Sequence, residues 1–277
     1  MDHERTLALF DRRVRREAVP DSPGARVERV GPVVRQTGGE NDWNGVLWSG
    51  LDERTADAAI AAQIGHYTAL GLDFEWKLYS HDLPGDLGER LLGAGFAAEP
   101  PEALMVAETS ALNTSARPPE GVRLVEVTDA AGVELMARAQ ERAFGERPTR
   151  LREQLLSQLG LDTVVMTVAL AGDEPVCAAR LELNPAAGFA GLWGGGTVPA
   201  WRGRGVYRAM VAHRAAVAAA RGHGHLQVDA SDESRPILLR LGFTRLSTTT
   251  PHLYSVPRRP VSPTRPGVLS KASPNRP

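Results

Sequence analysis

The chain has 277 residues, 42% of them hydrophobic, which suffices for two modest domains with buried cores. A formal net charge of -1 gives no electrostatic case for nucleic acid or an anionic membrane surface, and a single cysteine excludes an internal disulfide and fits a reducing compartment. No apolar run approaches the roughly 18 residues of a membrane span. The N-terminal MDHERTLALFDRRVRREAVP carries charge where a signal peptide would need its apolar core, so a soluble cytoplasmic protein is the expectation.

In chain order, the first patterned stretch opens at Leu47-Trp48. It continues through a helical segment over 53–70, an extended FEWKLY over 74–79 and LLGAGF over 91–96. ETSALNTSARPPE, residues 108–120, has the small, polar and proline content of a linker, most clearly from Asn113 onward. GVRLVEV over 121–127 predicts a strand, and 129–143 a helix with an acidic N-cap and apolar positions at Val133, Met136 and Ala137. A second short helix is expected over 150–158. VVMTVALA over 164–171 is a strand that turns at Gly172-Asp173 into PVCAARLEL over 175–183, and FAGLWGGGTV over 189–198 follows. A glycine-arginine loop then leads into an alanine-rich helix ending at Ala220. HLQVDA over 225–230 and LLRLGF over 238–243 complete the pattern.

From Leu47 to Phe96 is 49 positions and from Leu192 to Phe243 is 51, with the same order of strand, helix, strand and Gly-Phe turn. The match points to a duplicated supersecondary unit. The expected organisation is therefore an N-terminal domain over 1–112, a linker over 113–120, a C-terminal domain over 121–255 and a flexible tail over 256–277. That tail has six prolines and five basic residues against no acids, so removing its +5 from -1 leaves -6 on the body. The fold class is α/β (α+β), a mixed central sheet flanked by helices in each domain. Cys177, between Val176 and Ala178 in a strand, is a buried structural thiol, and His223 and His225 lack partners at metal-ligand spacing, so no metal is expected.

The sharpest segment runs from Thr197 through Val198, Arg202, Gly203, Arg204, Gly205 and Val206 to Tyr207. Gly203 and Gly205 relieve crowding where the backbone curls into a helix start, and successive N–H groups at the positive end of the helix can hold a pyrophosphate. Arg202 and Arg204 add guanidinium groups suited to phosphate oxygens. This is neither the phosphate loop of nucleotide hydrolases nor the dinucleotide fingerprint.

At these residues the chain resembles the GNAT superfamily of N-acetyltransferases. Its hallmark is Arg or Gln, two variable residues, Gly, one variable residue, then Gly or Ala; Arg202 and Gly205 fit, and Tyr207 replaces the small final residue. The resemblance covers about residues 121–254 well. Residues 40–110 look like the latter part of the same fold without its phosphate loop, since SGLDERT carries Asp52 and Glu53 where phosphate would lie. The resemblance implies a tandem with a degenerate N-terminal domain and one acetyl-CoA, or other acyl-CoA, held by the amides from Gly203 to Tyr207.

Acyl transfer to an amine needs a deprotonated amine, a polarised carbonyl and a stabilised thiolate. Backbone amides at Thr197 and Val198 are the candidates for the carbonyl, because Gly194 to Gly196 let that strand bulge. The family often has a tyrosine four residues before the glycine of Gly-Phe, where this chain has Leu238. Ser231, Ser234 and Tyr254 are the substitutes as acid, with Tyr254 preferred and Ser234 also counted as cofactor-binding. Glu182 is the first choice for base, its alternation opposite Leu181 and Leu183 leaving it on the cleft or in solvent. Trp48, Trp193 and Trp201 either line an acceptor pocket or belong to the core. The expected function is an N-acetyltransferase acting on a primary amine, small-molecule or peptide, by direct attack in a ternary complex. A noncatalytic acyl-CoA sensor and a structural scaffold are the alternatives.

Overall fold

The computed structural model describes residues 1–145 and 149–257, so the expected tail lies outside the described residues from position 258. Helix α1 (His3–Phe10), capped by the Asp2 carboxylate on the Arg5 N–H, continues as a π-helical turn to Arg16. The rest of the N-terminal half is β1 (Arg26–Val30), β2 (Val33–Thr37), β3 (Gly45–Ser49), α2 (Ala56–Leu70), β4 (Phe74–Tyr79), α3 (Leu87–Gly93), β5 (Ala97–Ala98) and β6 (Glu102–Glu108). The C-terminal half has β7 (Val122–Glu126), α4 (Ala130–Phe144), α5 (Thr149–Ser157), β8 (Val164–Ala171), β9 (Glu174–Asn184) and β10 (Phe189–Thr197). It ends with α6 (Val206–Ala220), β11 (His225–Ala230), α7 (Arg235–Arg240) and β12 (Thr244–Tyr254). The strands and helices expected over 74–79, 164–171 and 225–230 and around α4 and α6 are present within a residue or two, whereas α1, the β1–β2 hairpin and β6 were not foreseen.

The matched units both form parallel pairs: β3 lies beside β4 and β10 beside β11, each bridged by a helix packed on one face. The two halves do not keep separate sheets. One twelve-stranded sheet runs β1-β2-β3-β4-β12-β6-β11-β10-β9-β8-β7, with β5 paired to β12. Within it the final strands are exchanged: β6 of the first half pairs with β11, and β12 of the second half pairs with β4. The two exchanged strands also pair with each other.

Alternation sorts the core onto two faces. On one face α6 and α7 bury Val211, Ala215 and Leu238 against Leu181, Leu192, Leu226 and Met105, while α2 and α3 bury Ile60, Tyr67 and Leu91 against Phe74 and Trp76. On the other face α4 and α5 pack Met136 and Leu155 on Met166 and Val168. There α1 crosses the seam, its Phe10 meeting Tyr79 of β4, Leu104 of β6 and Phe189 of β10. Arg15, in the turn after α1, fastens this contact with a paired hydrogen bond to Asp82 at 2.7 and 2.9 Å.

Candidate functional site

Pairing between β10 and β11 stops at Gly191 opposite Gln227, and beyond it the strands separate. In β10 the register against β9 then jumps from Trp193–Arg180 to Gly196–Ala178, so Gly194 and Gly195 together oppose Ala179 as a bulge. Packing on both faces requires the glycines. A Cβ on Gly194 would lie 2.6 Å from Gln140 Nε2, one on Gly196 2.6 Å from the Phe144 ring, and one on Gly195 3.1 Å from the Tyr207 ring.

Of the two amides expected to polarise a carbonyl, Val198 is already committed: its N–H donates to Val176 O at 2.9 Å. Strand alternation therefore turns the Thr197 amide the other way, to the open side of β10. The Thr197 hydroxyl donates to Cys177 Sγ at 3.3 Å, and burial pushes that thiol up, in keeping with a structural cysteine.

After β10 the chain makes a 3-10 turn over Pro199–Trp201 and enters the glycine loop. Gly203 and Gly205 take φ of 75° and 87°, values that favour glycine, and Gly205 caps α6 without any side-chain acceptor. The N–H groups of the first turn of α6 thus lack intrahelical partners. Nothing lies within 4 Å of the place a Gly203 Cβ would take, so the loop has an open cradle. The arginines behave differently from expectation. Arg202 donates from Nε to Thr197 O and from Nη2 to Ala143 O, both at 3.1 Å, tying the loop to β10 and α4 instead of facing solvent anions. Arg204 stacks over the Trp201 ring at 4.8 Å. Arg208 and Arg240 supply cations that sequence reasoning missed: they flank a groove of about 220 Å³ between α6 and α7, bordered also by Leu112, Asn113 and Ala116. Neither forms an ion pair among the described residues. Arg208 stands in the first turn of α6 and Arg240 in the last turn of α7, positions that no motif marked.

The equivalent turn of the first half is filled. Asp52 Oδ1 accepts from the Arg54 and Thr55 N–H groups at 3.0 and 2.9 Å and from the Thr55 hydroxyl at 2.7 Å, bonds that hold its carboxyl below the usual range. The matching groove between α2 and α3 has its Arg90 paired to Asp57 at 3.0 Å.

The predicted catalytic residues do not converge. Glu182 is half-buried opposite Leu181 and Leu183, as alternation required, and pairs with Arg180 at 2.7 Å. Ser231 and Ser234 share the turn into α7, hydroxyls 3.3 Å apart. Tyr254 is not at this site: it packs against Phe74 and Phe96 in the N-terminal core, because the exchanged β12 carries it past the seam to the far end of β4. Leu238 is fully buried in the core. Tyr207 leans on Gly195 and, with burial raising its phenol, keeps its proton near neutrality. Beneath it Arg214, 1% exposed, donates to the Met210 and Arg180 carbonyls but leaves Nη2 without a partner.

On the opposite face, the seam carries charge inside the sheet. Lys77 of β4 reaches over β12 and β6 to Asp229 of β11 at 2.5 Å and lies 5.4 Å from the Trp193 ring centroid. Burial works against the Lys77 charge, and the Asp229 carboxylate more than offsets it. Among the described residues no group of three or more His, Cys, Asp or Glu side chains is placed to hold a metal, and no helix is long and apolar enough to cross a membrane.

No family model and no curated protein matches the sequence. Solved structures do match the fold. A GCN5-related N-acetyltransferase from Kribbella flavida aligns at 19% identity over 91% of this chain and 93% of its own, with a TM-score of 0.63. A conserved protein of unknown function from Staphylococcus epidermidis aligns at 13% identity over 84% and 94%, with a TM-score of 0.64. A tandem GNAT protein from the clavulanic acid biosynthesis pathway aligns at 12% identity over 93% and 96%, with a TM-score of 0.60. The chain has the GNAT fold, a mixed sheet flanked by helices.

Proposed function

We propose that the chain transfers an acyl group, most simply acetyl, from acyl-CoA to an amine, and that only its C-terminal half binds the thioester. The observation that carries this reading is the uncapped glycine loop at the start of α6, beside Arg208 and Arg240, which form no ion pair among the described residues, and the opening between β10 and β11. The residues present fit the group: N–H donors for a pyrophosphate, an open cradle at Gly203, and cations at Arg208 and Arg240 for a further phosphate. In the first half Asp52 takes up the Arg54 and Thr55 amides, the counterparts of Arg204 and Gly205 in the loop, so one acyl-CoA per chain is expected.

Acyl-CoA supplies an activated acyl carbon. The Thr197 N–H, turned to the open side of β10, and the bulge amides at Gly194 and Gly195 are the donors for its carbonyl oxygen. In the transfer a C–N bond forms and the C–S bond breaks; one amine proton passes to solvent, directly or through water near Glu182, and the sulfur leaves as thiol or thiolate. With Tyr254 in the other core and Leu238 buried, Ser231 and Ser234 are the candidates from the sequence that remain near the end of β11 for the sulfur. Catalysis in this reading rests chiefly on positioning. Leu238, buried where the family resemblance leads one to expect a phenol, also favours a second reading, a noncatalytic acyl-CoA sensor.

Calorimetric titration with acetyl-CoA, repeated on Arg208→Glu and Arg240→Glu, tests the shared premise: saturable binding at one site per chain, weakened in both variants. Release of CoA thiol with an amine panel then separates transferase from sensor. No binding of acetyl-CoA or longer acyl-CoAs refutes both.

A further inference from the structure

Beyond the loop, the largest unexplained feature is the charged seam. Three carboxylates, Glu75, Glu102 and Asp229, stand on the face of the sheet that carries Lys77, as alternation and the β4–β12–β6–β11 register require. Glu75 accepts the Trp43 indole N–H at 2.8 Å, and Glu102, half-buried, has no ion pair among the described residues. Burial raises the Glu102 carboxyl, and the charges of Asp229 and Glu75 add to the rise while Lys77 opposes it. One cation against three acids leaves the seam short of positive charge.

Two independent observations indicate what is missing. Asp229 is 2% exposed at its side chain, and its Oδ1 has no hydrogen-bond partner, an orphaned buried oxygen of the kind that a ligand donor satisfies. The Lys77 ammonium, meanwhile, sits on the other Asp229 oxygen and near the Trp193 ring, so this surface already holds one ammonium. Trp193 immediately precedes the Gly194–Gly195 bulge, and Asp229 lies two residues past the last β10–β11 pair. The seam thus adjoins the opening proposed for the thioester.

We infer that the seam binds a compound with at least two ammonium groups, held by Glu75, Glu102 and the free oxygen of Asp229 between Trp43 and Trp193. On the transferase reading, on which this identification of the acceptor rests, one amine is anchored there while the other is presented to the acyl carbon.

The test is calorimetry on the full chain with 1,4-diaminobutane, butylamine and 4-aminobutanoate, in wild type, Glu102→Gln and Trp193→Ala, with acetyl-CoA titrated separately. The diamine is expected to bind saturably, at least about tenfold more tightly than the monoamine or the zwitterion, and Glu102→Gln to weaken it about ten- to hundredfold while leaving acetyl-CoA binding unchanged. Circular dichroism checks that each variant is folded. Equal affinity for the three amines, or no saturable diamine binding, overturns the inference. Diamine binding without acetyl-CoA binding upholds the cation site and removes the transferase reading, so the two failures are distinguishable.

Discussion

Replacing Gly203 by alanine isolates the glycine loop as a ligand site. Gly203 has φ of 75° with nothing within 4 Å of its virtual Cβ, so Gly203→Ala adds conformational strain without a clash inside the protein. An L-residue in that region costs about 1–2 kcal/mol, and the loss of unfolded-state freedom returns about 0.4–1 kcal/mol, leaving roughly 0.5–1 kcal/mol of net destabilisation. For a chain this size that is a fall in Tm of about 1–4 °C. Gly31, in the turn between β1 and β2, is the matched control: φ is 58° and its virtual Cβ also meets nothing. Both variants should therefore lose similar stability by thermal melting. They should differ in acetyl-CoA affinity, because the methyl of Gly203→Ala enters the cradle and any relaxation of φ turns neighbouring N–H donors away. Loss of even one charge-assisted bond corresponds to about tenfold in Kd, whereas Gly31→Ala should leave Kd unchanged. If calorimetry gives Gly203→Ala a Kd within about twofold of wild type, alongside the expected melting shift, the loop is not the phosphate site.

A fragment spanning residues 113–257 lacks β6, which in the full chain lies between β11 and β12, so it should fail to give a cooperative melt or dispersed amide NMR signals; a well-folded fragment would contradict the exchanged sheet. Arg214→Met removes a buried cation with one orphaned donor and, among the described residues, no acidic partner, so its unfolding free energy from urea denaturation should stay within about 1 kcal/mol of wild type or rise; a loss above about 3 kcal/mol would mean that the bonds to the Met210 and Arg180 carbonyls dominate. Burial works against ionisation of Asp11, but the His81 hydrogen bond and the Arg15 charge together hold its carboxyl below 3.8. A lowered folded value stabilises above the unfolded pKa and is lost as pH falls through the folded value, so the stability deficit of Asp11→Asn should be present at neutral pH and shrink in acid denaturation series below about pH 4.

Local chemistry made much of the fold legible. The long apolar run of β8, the alternation of β11 and the capped helix at Asp129 depend on neighbours a few residues away, and these appear nearly where the pattern placed them. β6 was hidden because its apolar run, ALMVA, is short, is bounded by acids and merges at Glu108 with the linker-like segment. The exchange of β6 and β12 leaves no local trace: each follows a Gly-Phe turn, and both partners present similar edges. The place of Tyr254 follows from pairing with Phe74, 180 positions earlier in the chain, and no local pattern records it. The glycine loop was legible because positive φ demands glycine at fixed offsets, whereas the partners of Arg202 depend on Ala143, brought close only by packing. The acid among apolar residues in HLQVDA and the lysine in FEWKLY were visible signals of the seam, yet only the register of four strands brings Lys77 and Asp229 together.

The exchange also accounts for the position of the seam. β4 runs antiparallel to β12 and β12 parallel to β11, so the C-terminal ends of β4 and β11 approach one level from opposite directions: Tyr79 sits opposite Thr249, and Ala230 reaches Thr248 through Ala103. Parallel strands of both halves separate toward these ends, so the same two exchanged strands lie between the two openings. A half in which Asp52 takes up the Arg54 and Thr55 amides still supplies β6 to the other half's core and Glu75, Lys77 and Glu102 to the shared face. On the proposed reading the first half serves twice, once in the shared sheet and once in the wall that takes the amine. Substitutions at Asp52 that reopen its turn should consequently leave the second half's ligand affinity untouched, while substitutions along β6 should alter stability and amine binding together.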